Sequence, residues 1–177
     1  MATGHANPTS VLLDSGKVLV TGGYLWWNLP SGRSTSEANL YDPATNSWSL
    51  VGGLAQARHG HFAIRLYSGI VLIVGGIDGG NTVELYNPYS GLLSLGPPLP
   101  FNATPFFSAT MLYSGEVLVT NAIGQAALYD PSTNTWLPTS NMNQGRIEPS
   151  ATMLLTGEVL FVGGDSSSPR SVERFTR

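Results

Sequence analysis

The sequence predicts an all-β protein made of four repeats of about 45 residues, each a four-stranded antiparallel sheet, with the last sheet incomplete. Three observations indicate this fold. The chain contains 21 Gly and 12 Pro among 177 residues, a proportion typical of short elements joined by many turns. Apolar runs of four to six residues recur between Gly, Pro, Asn or Ser. No stretch keeps a helical period over ten residues.

The first and second strands of each repeat are predicted to form a hairpin. They meet at a Ser-Gly or Thr-Gly turn, and Gly suits such a turn because it tolerates positive φ. The second strand ends in Gly-Gly in three repeats and in Asn121-Ala122 in the third. The first-strand segments are 8–15, 61–68, 107–114 and 149–156, and the second-strand segments are 16–23, 69–76, 115–122 and 157–164.

An aromatic residue marks the third strand of each repeat. These residues are Tyr41, Tyr86, Tyr129 and Phe175, spaced 45, 43 and 46 residues apart. In the first and third repeats the wording LYDP-x-TN-x-W continues through a Pro-containing turn into a fourth strand with Trp48 or Trp136. The second repeat has Leu92-Leu93 in place of Trp, and the given sequence ends at Arg177, after a third strand.

Four-stranded sheets repeating at this interval are the blades from which a β-propeller is assembled. The order of an apolar strand, a strand ending in Gly-Gly, and then Tyr41 and Trp48 or Tyr129 and Trp136, resembles the kelch repeat. The sequence of the second-strand segment, Gly-Lys-Val-Leu-Val-x-Gly-Gly, is most similar to galactose-oxidase-like proteins and to kelch units of bacterial or invertebrate origin. This resemblance covers essentially the whole chain. WD-type blades have a similar period, but no Trp-Asp dipeptide occurs here.

We expect one repeat domain over residues 1–177. Its blades are predicted at about 5–52, 57–97, 104–139 and, as a partial blade, 147–177. The kelch resemblance implies a ring of six or seven blades, which fifteen strands cannot complete. The chain is therefore expected to be a segment of a longer propeller, or a half-ring that pairs with a second copy as a homodimer.

Composition and charge exclude several classes of function. The net charge of −3 and eight scattered Lys and Arg residues argue against a nucleic-acid partner. The chain has no Cys, which excludes disulfides, thiolate zinc sites and a Cys nucleophile, and leaves the compartment undetermined. No apolar run is long enough for a membrane span, and the first ten residues do not resemble a signal peptide, so we expect a mature or excised soluble segment without a membrane partner.

Two adjacent aromatic residues, Trp26 and Trp27, lie in the longest non-repeating segment. The resemblance implies that this loop lies on the face where kelch-type proteins bind. The pair could form an aromatic platform for a sugar ring or a partner side chain. The alternative is that the loop folds back and covers the blade edge with its own Trp side chains.

Arginines recur near the same predicted loop face. Arg33, Arg58, Arg146 and Arg170 could surround the mouth of a channel and attract a carboxylate. The alternative is structural, with Arg146 paired with Glu148 and Arg170 near Glu173 as exposed ion pairs of little energetic value.

The pair His59 and His61 suggests a metal site, because alternate residues of a strand share a face. No Asp, Glu or further His is close in sequence, and in many kelch repeats an Arg and a His open the first strand to bond backbone groups. We therefore favour a structural role for Arg58 and His59, and predict no metal and no cofactor. A galactose-oxidase-like copper centre would need a Cys that the chain lacks.

These observations favour a non-enzymatic module that binds a protein or a glycan. The candidate ligand-binding residues are Trp26, Trp27, Arg33, Arg58, His59 and Arg146. The sequence shows no phosphate-binding Gly loop, nucleophile elbow or paired carboxylates. The alternatives are a carbohydrate-active enzyme, related to sugar oxidases or to isomerases of acidic sugars, and a purely structural scaffold.

Overall fold

The computed structural model describes residues 4–26, 32–103, 107–164 and 171–177. Over these ranges the chain forms strands and turns, and it contains no helix long and apolar enough to cross a membrane. It divides into two compact units, Met1–Gly96 and Pro97–Arg177. The predicted single domain and its blade boundaries stay predictions.

The first unit contains two four-stranded antiparallel sheets and a short hairpin. Its strands are β1 (Thr9–Leu12), β2 (Val18–Thr21), β3 (Tyr24–Leu25), β4 (Arg33–Ser34), β5 (Glu37–Asp42), β6 (Ser47–Gly53), β7 (Phe62–Arg65), β8 (Val71–Val74), β9 (Val83–Asn87) and β10 (Leu92–Leu95). The sheets have the orders β1-β2-β5-β6 and β10-β9-β8-β7. Strands β3 and β4 form a separate two-stranded sheet inside the segment that was predicted to be a loop.

The core of the first unit lies around the inner strands. All four residues of β8 are buried, which explains why this strand reads as a continuous apolar run instead of alternating with polar residues. Buried side chains of β1, β2 and β8 form one cluster with Leu54 and Tyr86. Full burial of each such aliphatic side chain contributes roughly 1.5–3 kcal/mol.

The second unit repeats this plan with one four-stranded and one three-stranded antiparallel sheet. Its strands are β11 (Ser108–Met111), β12 (Val117–Thr120), β13 (Ala126–Asp130), β14 (Thr135–Pro138), β15 (Ser150–Met153), β16 (Val159–Val162) and β17 (Val172–Phe175). The sheets have the orders β11-β12-β13-β14 and β15-β16-β17. Their facing residues bury a cluster that includes Leu118, Leu128 and Phe161.

The doubled motif LYDP-x-TN-x-W forms the turn between the third and fourth strands, which a ring contact and a side-chain hydrogen bond stabilise. In the third sheet, Tyr129 lies opposite Trp136 with ring centroids 5.3 Å apart. The Tyr129 hydroxyl donates to Asn134 Oδ1 at 2.8 Å, and Asn134 has a positive φ of 53°. Gly91, with φ of 72°, takes the place of this Asn in the second sheet. The repeated motif therefore has a structural role in the turn between the third and fourth strands.

Candidate functional site

Three loops of the first unit meet at one end of its two sheets, as the kelch resemblance implied. The loop after β2 contacts the loop before β7, because Gly23 N donates to the Arg58 carbonyl at 2.8 Å. The loop between β8 and β9 joins them through the bridge between His59 and Ile77. The bridge between Ala6 and Tyr24 adds the segment before β1. Backbone pairing therefore fixes the positions of these loops.

A cleft of ≈ 630 Å³ lies among these loops, and we call it the Trp26 cleft. Tyr24, Trp26, His59 and Asp78 are among its lining residues. The rings of Tyr24 and Trp26 meet edge to face at 4.8 Å, and Tyr24 also lies 4.9 Å from the His59 ring. Trp26 is 66% exposed. The cleft therefore has an aromatic wall that ends in a solvent-facing indole.

A glycine explains how the hairpin presents the Tyr24 ring. Gly32 lines the same cleft and has a positive φ of 55°. A Cβ atom at Gly32 would overlap the Tyr24 ring. Because any larger residue would displace this ring, the sequence of the hairpin specifies the aromatic wall.

A chain of short hydrogen bonds forms the polar side of the Trp26 cleft. Ser34 Oγ donates to Asp78 Oδ2 at 2.6 Å and lies 2.7 Å from His59 Nδ1. A serine hydroxyl has one hydrogen, and Ser34 donates it in the hydrogen bond to the Asp78 carboxylate. His59 Nδ1 must therefore be the donor in the second hydrogen bond. In neutral His59, Nε2 is then an acceptor. Asp78 is exposed and has a positive φ of 64°.

These hydrogen bonds do not activate Ser34 as a nucleophile. An activated serine gives its hydrogen to a histidine nitrogen, which a carboxylate in turn orients. Here the hydrogen of Ser34 goes to Asp78, and His59 is a donor to the serine. The bonded trio therefore orients the His59 ring and the Asp78 carboxylate.

Arg33 lies on the opposite face of the hairpin from the cleft. Tyr24 pairs with Ser34, and Leu25 pairs with Arg33. Residues directly opposite one another in an antiparallel pair share a face, and the next pair along points to the other face. Since Tyr24 and Ser34 both contact His59, Arg33 points away from the cleft, into solvent.

Arg58 is fully buried beneath the loops, where protein groups accept all five of its N–H donors. Nε donates to Gln56 O at 3.3 Å, and Nη1 donates to the carbonyls of Gly75 at 3.0 Å and Thr82 at 3.1 Å. Nη2 donates to Thr82 Oγ1 at 2.7 Å and Glu84 Oε1 at 2.9 Å. We call this arrangement the Arg58 clasp. Burial lowers the pKa of Arg58, and the neighbouring Glu84 carboxylate opposes that shift.

The second unit contains a related arrangement around Arg146, which is 2% exposed. Its Nη1 donates to Gly163 O at 2.7 Å and to Ser171 O at 3.2 Å, and Nε lies 3.8 Å from Glu173 Oε2. The neighbouring carboxylate is thus Glu173, and not the Glu148 expected from its nearness in sequence. For Arg58 and Arg146 these contacts support the structural alternative over contact with a ligand.

A recurring interval marks this arrangement in the sequence. The basic residue lies 17 positions before the residue whose carbonyl it meets, as in the pairs Arg58 and Gly75, Arg146 and Gly163, and His5 and Gly22. His5 bonds Gly22 O at 2.9 Å and lies 3.3 Å from Glu37. This 17-residue interval is visible in the sequence alone and is the signal by which the buried basic residues could have been identified.

The third repeat lacks both charged partners of the clasp. Ala127 lies opposite Val119, at the position that Glu84 occupies opposite Ile73. Counting 17 positions back from Asn121 gives Thr104, which lies outside the described residues. The acid and the base are therefore absent together in this repeat.

The two histidines considered for a metal have different partners. His59 Nδ1 bonds Ser34, whereas His61 Nε2 lies 2.8 Å from Thr21 Oγ1. Burial, with the nearby positive charge of Arg58, lowers the pKa of His61 to about 3. Among the residues with described positions, no group of three or more His, Asp or Glu is arranged to hold a metal ion. The remaining sequence candidates, Trp27 and Arg170, lie outside the described residues.

The repeated four-stranded sheets, with connecting loops gathered at one end of the first unit, define a protein built of β-propeller blades. No protein-family model matches the chain. An F-box/kelch-repeat protein of Arabidopsis thaliana is 30% identical over 137 residues, covering 71% of this chain and 38% of the relative. Kelch-like protein 23 of Mus musculus is 28% identical over 156 residues, covering 82% of this chain and 26% of the relative. The chain therefore belongs to the kelch-repeat proteins.

The prediction of kelch-type blades is confirmed by the sheets and by these relatives. The chain spans less than two fifths of the length of either relative. The finer likeness to galactose-oxidase-like units stays a prediction.

Proposed function

We propose that the chain is a non-enzymatic protein-interaction module that binds its partner through the Trp26 cleft and the adjoining loops. Its kelch-repeat relatives support an interaction role. The kelch resemblance makes this loop face the expected binding face. The observation that carries the proposal is the 66% exposure of Trp26 at the end of the aromatic wall.

The size and position of Trp26 suit it to contribute much of the binding energy. A Trp side chain buries about 150–250 Å² when it is covered, and Trp is enriched among residues that dominate interfaces. Tyr24 holds the indole from one side, and Tyr24 in turn packs against His59. A partner that covers Trp26 therefore gains apolar burial on a wall that is already ordered.

The test is affinity capture from a lysate of cells that make the protein, with three forms of the chain as bait. Trp26→Ala removes the proposed contact. Trp48→Ala is the matched control, because Trp48 is also exposed, at 42%, but lies on β6, away from the loops. The proposal predicts a protein that is captured by the native chain and by Trp48→Ala, and is lost with Trp26→Ala. An identical set of captured proteins from all three baits would contradict it.

Other ligands and roles expected from the sequence stay predictions. An exposed indole also suits a sugar ring, so a glycan array with the same three forms would detect a glycan ligand that depends on Trp26. Light scattering on the purified chain would test self-association. The carbohydrate-active enzyme stays a prediction, and a purely structural scaffold would be favoured if nothing binds and the chain only self-associates.

A further inference from the structure

The polar groups that line the Trp26 cleft are suited to receive hydrogen bonds. Ser34 gives its hydrogen to Asp78, and His59 Nδ1 gives its hydrogen to Ser34. The second nitrogen of neutral His59 and the Asp78 carboxylate are left as acceptors. Both residues line the cleft. A ligand that donates hydrogen bonds therefore suits this side of the cleft.

The charge around the cleft is negative. Asp78 is exposed at its edge, and the lining residues that the structure describes include no Lys or Arg. Arg33, which is close in sequence, lies on the other face of the hairpin. Arg58 is 0% exposed, and its charge is met by Glu84 at 2.9 Å. A carboxylate ligand would meet Asp78 without an opposing charge, whereas a cation would be attracted to it.

The aromatic wall favours the same class of ligand. Indole and phenol rings attract cations over their faces, and Trp is the strongest of the aromatic side chains in this respect. Trp26 and Tyr24 lie beside the acceptors, since the Tyr24 ring contacts both Trp26 and His59. A planar guanidinium can stack on one ring and donate at its edge to a carboxylate at the same time.

We propose that the Trp26 cleft binds an arginine side chain of the partner protein, with its guanidinium against Trp26 and donating to Asp78 and His59. This inference rests on the proposed function of the loop face and names the group that is recognised there. The backbone of Asp78 fits this role. Its φ of 64° is an uncommon conformation outside Gly, and the bond from Ser34 fixes the carboxylate at the cleft.

The test is a nuclear magnetic resonance titration of the unmodified chain with N-acetyl-arginine amide as the probe. N-acetyl-citrulline amide is the matched control, because citrulline keeps the shape and loses the charge. We expect saturable shifts of the Trp26 indole and His59 ring signals with the arginine probe, and at least tenfold weaker binding with the citrulline probe. N-acetyl-lysine amide should bind more weakly than the arginine probe, because an ammonium group does not stack as a plane. Equal binding of arginine and citrulline, or tighter binding of N-acetyl-glutamate amide, would overturn the inference.

A pair of variants tests the role of the carboxylate. Asp78→Asn should weaken binding of the arginine probe at least fivefold. Asp42→Asn is the matched control, because it removes the same charge from an Asp that pairs with Lys17 at 3.1 Å, outside the cleft lining, and it should leave binding unchanged. Equal binding by both variants and the native chain would contradict the proposal.

The titration tests the cationic ligand and the capture experiment tests the proposed function, so each can be contradicted without the other. If Trp26→Ala abolishes capture of a partner but the arginine probe produces no saturable shift, the cationic ligand is overturned and the proposed function stands. If the probe binds with the predicted dependence on charge while capture does not depend on Trp26, the cleft chemistry is supported and the proposed function falls.

Discussion

Removal of Glu84 should destabilise the chain strongly, because it leaves the charge of Arg58 buried without its counter-ion. Arg58 is 0% exposed and Glu84 is 1% exposed. Breaking a buried ion pair by deleting one partner costs about 3–5 kcal/mol. We expect Glu84→Ala to fall in this range, because four of the five guanidinium donors keep their oxygen acceptors but none of these four carries a charge.

The third repeat supplies a natural replacement for the pair. Arg58→Thr with Glu84→Ala copies Thr104 and Ala127, so that both buried charges disappear together. Glu84 alone would still accept from Ala55 N at 2.7 Å and Gln56 N at 3.3 Å, but its charge would be unpaired. The double variant should therefore lose less free energy of unfolding than the two single variants lose in sum, by about 1–3 kcal/mol.

The assay is guanidinium denaturation of the four members of this cycle, followed by circular dichroism. Arg174→Ala is the control for an exposed pair, because Arg174 lies 3.3 Å from Glu158 with its side chain 63% exposed. Arg174→Ala should lower the free energy of unfolding by about 1 kcal/mol or less. If Glu84→Ala lowered the free energy of unfolding no more than Arg174→Ala, or if the effects of the two clasp substitutions were simply additive, the buried pair would not have the stabilising role assigned to it.

Two further predictions concern stability. The pKa of His61 is about 3 in the folded chain and near 6.5 when unfolded, so the unfolded state binds more protons between these values. The free energy of unfolding should fall as pH drops through this window, by up to about 1.4 kcal/mol per pH unit. Denaturant titrations from pH 7.5 to 4.5 would measure this dependence. If the free energy of unfolding of His61→Gln fell equally steeply with pH, the prediction would be contradicted. Asn134→Ala should cost about 1–2 kcal/mol, because it removes the bond from Tyr129 and places Ala at a φ of 53°. Asn134→Gly should cost less because Gly tolerates that φ, and thermal melts in which the two variants coincide would exclude the backbone contribution.

The strands could be predicted from the sequence because local patterns specify them. Gly after Ser or Thr, apolar runs ending in Gly-Gly, and the Tyr and Trp of the doubled motif each act within a few residues, and the structure shows sheets at these places. The hairpin of β3 and β4 was missed because each strand has only two residues, too few for any periodicity.

The candidate site was predicted less completely, because its geometry depends on contacts between distant residues. Trp26 and His59 were identified, whereas the bond joining Ser34 to Asp78 spans 44 residues and leaves no local signal. Arg33 could not be placed on a face without the register of the hairpin. Arg58 was named as a ligand candidate because its local sequence does not reveal which loop carbonyls surround it.

The affinity of the captured partner for the native chain, for Trp26→Ala and for Trp48→Ala tests the central claim most directly. A residue that dominates an interface contributes at least 2 kcal/mol, which corresponds to roughly a 30-fold change in Kd. We predict a loss of roughly 30-fold or more for Trp26→Ala and a change of less than about threefold for Trp48→Ala, measured by calorimetry. Equal affinities of all three forms would show that the partner binds elsewhere and would contradict the assignment of the loop face.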